Sequence, residues 1–146
     1  MELDWKNLGF GFRATDYNVR CYNRNGTWGE LEISSSQTLN IHIGATCLHY
    51  GQESFEGMKA YRGKDNEIRI FRWQENAKRM QRSAEGIKLA VVPDELFHKA
   101  IVKAVQLNAE YVPPYGTGAS LYIRPLLIGV GPEIGVKPSK EYLFMV

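Results

Sequence analysis

The run Gly57-Met58-Lys59-Ala60-Tyr61-Arg62, the tetrad Gly63-Lys64-Asp65-Asn66, the run Glu67-Ile68-Arg69-Ile70-Phe71-Arg72 and the continuation from Trp73 contain a change of period. The first and third pieces flank a polar loop of hairpin length, which predicts two antiparallel strands. From Trp73 onward the apolar residues Trp73, Ala77, Met80, Ala84 and Ile87 recur at intervals of four and three, forming one face of an amphipathic helix. Gly86 is placed to help stop it. Pro93-Asp94-Glu95 reads as the start of a second helix, with acids against the positive end of the dipole. Phe97, Ala100, Ile101, Ala104 and Asn108 share its inner face, and Pro113, Pro114 and Gly116 end that segment.

Working outward, Tyr17 to Arg24 alternates as a strand, with Tyr17, Val19 and Cys21 against Asn18, Arg20 and Tyr22. Asn25-Gly26 marks a tight turn, Trp28 to Ile33 is the expected return strand, and Leu39 to Ile43 reads as another. The first fifteen residues, with Gly9, Gly11, Phe10 and Phe12, read as an arm or docking loop. Beyond the helices, Ser120 to Gly129 is strand-like and Lys140 to Val146 begins a further strand. Strands joined by short turns, with two helices grouped between them, predict a single α+β domain over residues 1–146. Its helices pack on a mainly antiparallel sheet. The apolar run Tyr142-Leu143-Phe144-Met145-Val146 has no turn, charge or cap behind it, as in a sequence cut at a domain boundary.

Composition narrows the function. The chain has 146 residues, 44% hydrophobic and 23% charged, which excludes disordered and fibrous classes. Eighteen basic against sixteen acidic side chains leave a net charge of +2, too little for a nucleic-acid partner. No apolar run approaches the ~20 residues of a membrane span. Met1-Glu2-Leu3-Asp4-Trp5 has acids where a signal peptide needs a basic region. A cytoplasmic protein without a membrane partner is expected. Cys21 and Cys47 read as buried or half-buried thiols. His42, His49 and His98 lack metal spacing, so no metal is expected. Gly129-x-Gly131-x-x-x-Gly135 misses the dinucleotide fingerprint and reads as a turn-rich loop.

Two places stand out chemically. In Leu121-Tyr122-Ile123-Arg124-Pro125, Tyr122 and Arg124 fall on one face of a strand, about 7 Å apart along it. An arginine among apolar neighbours needs a partner. A structural ion pair is the ordinary one, and a carboxylate or phosphate ligand the functional one. Pro125 lacks an N–H, so the strand is an edge or is distorted there. The second place is Arg72, Lys78, Arg79 and Arg82, either a solvated basic helix face or a phosphate site centred on Arg79 at the rim of the core.

Three segments together resemble the branched-chain amino-acid aminotransferases. They are His49-Tyr50-Gly51-Gln52-Glu53-Ser54-Phe55-Glu56-Gly57-Met58-Lys59-Ala60-Tyr61; Phe71-Arg72 followed by Asn76 to Ala84; and Leu121 to Gly129 running on to Gly135-Val136-Lys137-Pro138. They keep family order and spacing from about Asp4 to Val146. The resemblance implies the N-terminal domain of a class IV enzyme with the D-amino-acid-aminotransferase-like fold. It also implies pyridoxal 5'-phosphate as cofactor and a homodimer. Leucine, isoleucine or valine would exchange an amino group with 2-oxoglutarate. Arg79 would bind the cofactor phosphate. Tyr122 and Arg124 would face the substrate, Arg124 pairing with the side-chain carboxylate of glutamate. Phe55, Gly57 and Tyr50 would line the pocket, with Tyr50 and Val136 reaching a neighbouring subunit's site. The family's Schiff-base lysine matches none of Lys59, Lys78, Lys88, Lys99, Lys103, Lys137 and Lys140. It is expected beyond Val146, and the chain alone should not turn over. D-amino-acid aminotransferases and aminodeoxychorismate lyases share the architecture and are the alternatives within it. A non-catalytic, anion-binding dimerisation module is the alternative outside it.

Overall fold

The first hairpin sets the register of the larger sheet. In a computed structural model that describes residues 3–5 and 7–146, β1 (Asn18–Arg24) buries Val19, Cys21 and Asn23 on alternate positions. Met1, Glu2 and Lys6, part of the expected arm, lie outside the described residues. Asn25 and Gly26 take φ of 53° and 77°, the doubly positive pair that a two-residue hairpin turn requires. The return is not the single strand expected over Trp28–Ile33. β2 (Thr27–Trp28) stops at once and β3 (Glu32–Ser34) resumes on the same partner, slipped by one residue. Gly29 to Leu31 therefore bulge, with the Gly29 N–H donating to the Tyr22 carbonyl at 2.9 Å.

The remaining elements follow as α1 (Thr46–Tyr50), β4 (Glu53–Phe55), β5 (Met58–Arg62), β6 (Ile68–Ile70), α2 (Trp73–Gly86), α3 (Asp94–Leu107), a 3₁₀ turn (Ala109–Tyr111), β7 (Leu121–Ile123), β8 (Leu126–Gly129) and β9 (Glu141–Met145). All strand pairings are antiparallel. The larger sheet runs β2-β1-β9-β8-β4 with β3 also on β1, and the smaller runs β6-β5-β7. Both expected helices and the α+β class are present.

One face of the sheets carries the main core. Ala77, Met80 and Ala84 of α2 and Phe97, Ala100, Ile101 and Ala104 of α3 meet Val19, Met58, Ala60, Ile123, Leu127 and Phe144. On the other face Ile128, Val130 and Leu143 are covered by Tyr22, Leu39, Ile41 and Cys47. β9 is thus covered on both sides, which explains why its apolar run shows no alternation. The segment Leu39–Ile43, expected as a strand, is irregular. Leu39 and Ile41 are half-buried and close the second face, whereas Ile43 is exposed, and the segment joins no ladder. Cys21 is buried and Cys47 half-buried, both free, and burial pushes both thiols up in pKa.

α2 ends at Gly86, but the left-handed residue that reverses the chain is not the glycine. The reversal comes two residues later, where Lys88 takes φ 58°, Leu89 N–H bonds Ala84 O at 2.9 Å and Lys88 N–H bonds Glu85 O at 3.4 Å. This is a Schellman cap with lysine at the left-handed position that usually holds glycine. Lys88→Gly is therefore expected to stabilise the chain by about 0.5–1 kcal/mol, read as a raised urea midpoint. A lowered midpoint would mean that the lysine side chain stabilises the turn by other contacts.

Candidate functional site at the break between the sheets

β4 and β5 are separated by Glu56-Gly57, and β7 and β8 by Arg124-Pro125. β4 pairs with β8 and β5 with β7, so the two chain segments run side by side through both sheets and part together at this point. The continuous strand expected over Ser120–Gly129 is broken where Pro125 has no N–H to give. The ladder is carried past the proline by the Glu56 N–H on the Pro125 carbonyl, at 2.9 Å.

The break presents Phe55, Gly57, Tyr122 and Arg124 together. The Arg124 guanidinium lies 4.5 Å from the Phe55 ring centroid and 5.3 Å from that of Tyr122, and its Nη2 donates to the Tyr122 hydroxyl at 3.2 Å. Among the described residues no carboxylate forms an ion pair with it. The ordinary partner weighed from sequence is absent from these residues, and the cation stands on an aromatic platform with donors free. Tyr122 also lies against Gly57, where an added Cβ would come within 2.7 Å of the Tyr122 hydroxyl. The expected arm reaches this point, Phe10 meeting the Tyr122 ring edge-on at 5.1 Å. Gly57, Tyr122, Lys59, Phe71 and Asn76 line an open recess of about 280 Å³.

Arg79 stands on α2 behind Gly57. Its Nε and Nη2 donate to the two carboxylate oxygens of Glu56, at 2.7 and 2.6 Å. Asn76 Nδ2 donates to the same carboxylate at 2.8 Å and to the Gly57 carbonyl at 3.2 Å. Glu56 is 2% exposed, whereas the Arg79 side chain is 62% exposed. The carboxylate raises the arginine's already high pKa. Arg79 is thus neither a freely solvated cation nor an unoccupied one. Its Nη1/Nη2 edge remains for an anion, a donor set that suits a phosphate.

Tyr50 and Val136 form a second group. Tyr50, at the end of α1, donates its hydroxyl to the Ile134 carbonyl, in the loop that carries Val136 at 91% exposure. Of the expected site residues, Phe55, Gly57, Tyr122 and Arg124 converge, and Arg79 joins them through Glu56. Sequence reasoning missed Glu56 and Asn76. The available signal was an acid between Phe55 and Gly57 in a strand-like run, where an ionised side chain needs a partner.

No protein-family model matches the chain. The branched-chain-amino-acid aminotransferase of Haemophilus influenzae is 50% identical over 145 residues, covering 99% of this chain and 42% of the relative. That of Helicobacter pylori is 47% identical over 144 residues, with the same coverages, 99% and 42%. The solved Escherichia coli branched-chain aminotransferase superposes with a TM-score of 0.59 at 26% identity, covering 89% of this chain and 38% of that one. The Thermoproteus uzoniensis enzyme, solved with norvaline, gives 0.60 at 26% identity over 88% of this chain and 40% of that one. The chain spans about two fifths of the length of the curated relatives it matches. Sequence and fold together match this chain to the N-terminal part of the branched-chain-amino-acid aminotransferases.

Proposed function

We propose that this chain builds the N-terminal side of a pyridoxal-phosphate-dependent transamination site, which moves the amino group between leucine, isoleucine or valine and 2-oxoglutarate. The observation that carries the reading is Arg124, a cation on the Phe55 and Tyr122 rings with no acid paired to it among the described residues. Such a surface accepts an apolar branched side chain against the rings. It accepts the side-chain carboxylate of glutamate on the guanidinium. The donor set fits the cofactor's phosphate, which Arg79 would hold. The cofactor, when bound, supplies the electron sink for the transfer. Tyr122 and Gly57 line the recess, packed so closely that no side chain fits at Gly57. Tyr50 and Val136 are assigned to the site of a neighbouring subunit in a cytoplasmic homodimer.

A chimera tests this. Residues 1–146 replace the matching N-terminal segment of the Haemophilus influenzae enzyme, and leucine is assayed against 2-oxoglutarate. Turnover is expected from the chimera and none from the 146-residue chain alone. Arg124→Met should raise KM for 2-oxoglutarate about 10-fold or more, the loss of a charge-assisted bond, while leaving that for leucine within about threefold. A chimera that prefers a D-amino acid, or an Arg124 variant that weakens both substrates equally, would overturn the assignment.

A further inference from the structure

We infer that Glu56 is the positioning residue of the anion site, holding Arg79 by one edge of its guanidinium so that the other edge meets the phosphate. The inference rests on the reading of Arg79 as a phosphate ligand. An exposed arginine samples many rotamers, at about 2 kcal/mol of side-chain entropy, whereas a working site needs its groups fixed to about 0.5 Å. Nothing on α2 alone would fix a side chain that is 62% exposed. Glu56 does so from beneath, through the 2.7 and 2.6 Å bonds to Nε and Nη2.

The carboxylate is itself immobile. Its side chain is 2% exposed, Asn76 Nδ2 holds it at 2.8 Å, and its own N–H is tied to Pro125 at the break between the sheets. Gly57 and Phe55 flank it in sequence. One turn of chain therefore sets the floor of the recess, the aromatic platform under Arg124 and the direction of Arg79. A buried carboxylate is costly to keep without a cation, so Arg79 is bound to stay on it.

The opposing account is that Glu56 merely offsets the charge of Arg79 and weakens anion binding. Two variants separate the accounts. Glu56→Asp keeps the charge and withdraws the carboxylate by one methylene, while Glu56→Gln keeps the length and removes the charge. The probe is inorganic phosphate, titrated against the 146-residue chain by NMR, with proton exchange at Arg79 Nε–H as a second readout. Both variants should bind phosphate about five- to tenfold more weakly, the affinity lost with one immobilised side chain. In both, Arg79 Nε–H should exchange as fast as that of Arg82. With Arg79→Gln already in place, Glu56→Asp should change phosphate binding no further. Unchanged binding in Glu56→Asp, or tighter binding in Glu56→Gln, overturns the inference. Should neither variant fold, fast exchange at Arg79 Nε–H in the unsubstituted chain overturns it, and slow exchange supports it. If Arg79→Gln alone leaves phosphate binding intact, the phosphate reading falls and the inference with it. If Arg79→Gln abolishes binding while the Glu56 variants keep it, only the inference falls.

Discussion

Replacing Phe144 by alanine is expected to lower the free energy of unfolding by about 3–5 kcal/mol. The ring is fully buried on β9, opposite Cys21 on one neighbouring strand and Leu127 on the other. It stacks on Phe97 at 5.8 Å and meets Trp28 edge-on at 6.4 Å. Truncation would open a cavity under α3 that no neighbour can fill, since Phe97 is itself wedged against Trp73. Domains of this size hold about 5–15 kcal/mol in all, so the variant should denature at a much lower urea concentration with an unchanged slope. Phe12, 87% exposed, is the control, and its truncation should cost less than about 0.5 kcal/mol. A loss below about 1 kcal/mol at Phe144 would mean that the helices do not rest on this face.

Gly129→Ala should be nearly as damaging, at about 3 kcal/mol. Gly129 ends β8, opposite Tyr142, with its N–H on the Gln52 carbonyl at 3.0 Å. A methyl group there would collide with Thr46 Oγ1, fall 2.7 Å from Gln52 Oε1 and 3.1 Å from Ser139 Cβ. None of these can yield cheaply. Thr46 is fully buried. Gln52 is held by the Ile87 and Lys88 carbonyls at 3.0 Å each and by the Ser139 N–H at 3.1 Å. Gly135→Ala, where an added methyl would find its nearest neighbour, Glu133 Oε1, only at 3.8 Å, should be neutral. Thermal midpoints of the two variants decide the matter, and equal midpoints would contradict the packing described.

Those glycines also show where sequence reading stopped. Read as one turn-rich loop, they serve three purposes. Gly129 closes a strand, Gly131 packs on the Ser139 hydroxyl, and Gly135 lies in the open. The distinction depends on side chains some 80 residues away in sequence, such as Gln52. Local signals did better. Asn25-Gly26 located the hairpin because the turn needs two positive φ angles. The stripe Ala77, Met80, Ala84 located α2 because burial recurs at helical spacing. The split of the strand at Pro125 was half legible, since the missing N–H was visible but not the partner that bridges it. Glu56 was not legible, because its meaning lies in Arg79 on a separate helix. α1, one turn and a little more, was too short to show a period.

The position of β9 between β1 and β8 has a consequence for synthesis. Cys21 pairs with Phe144, so β1 must wait for about 120 further residues before its second neighbour exists. At typical elongation speeds of about 5–20 residues per second that is roughly 6–25 s. Throughout it β1 shows an open row of amides and carbonyls on the side that β9 will fill, and β8, made shortly before β9, then adds a second. Pairing across such a separation is also slow to nucleate, because the intervening loop must close first. The hairpin and the two helices can form as they emerge, but the larger sheet closes only once β9 is free of the ribosome. Until then the nascent chain carries two unpaired strand edges, a point at which chaperone binding or aggregation competes with folding.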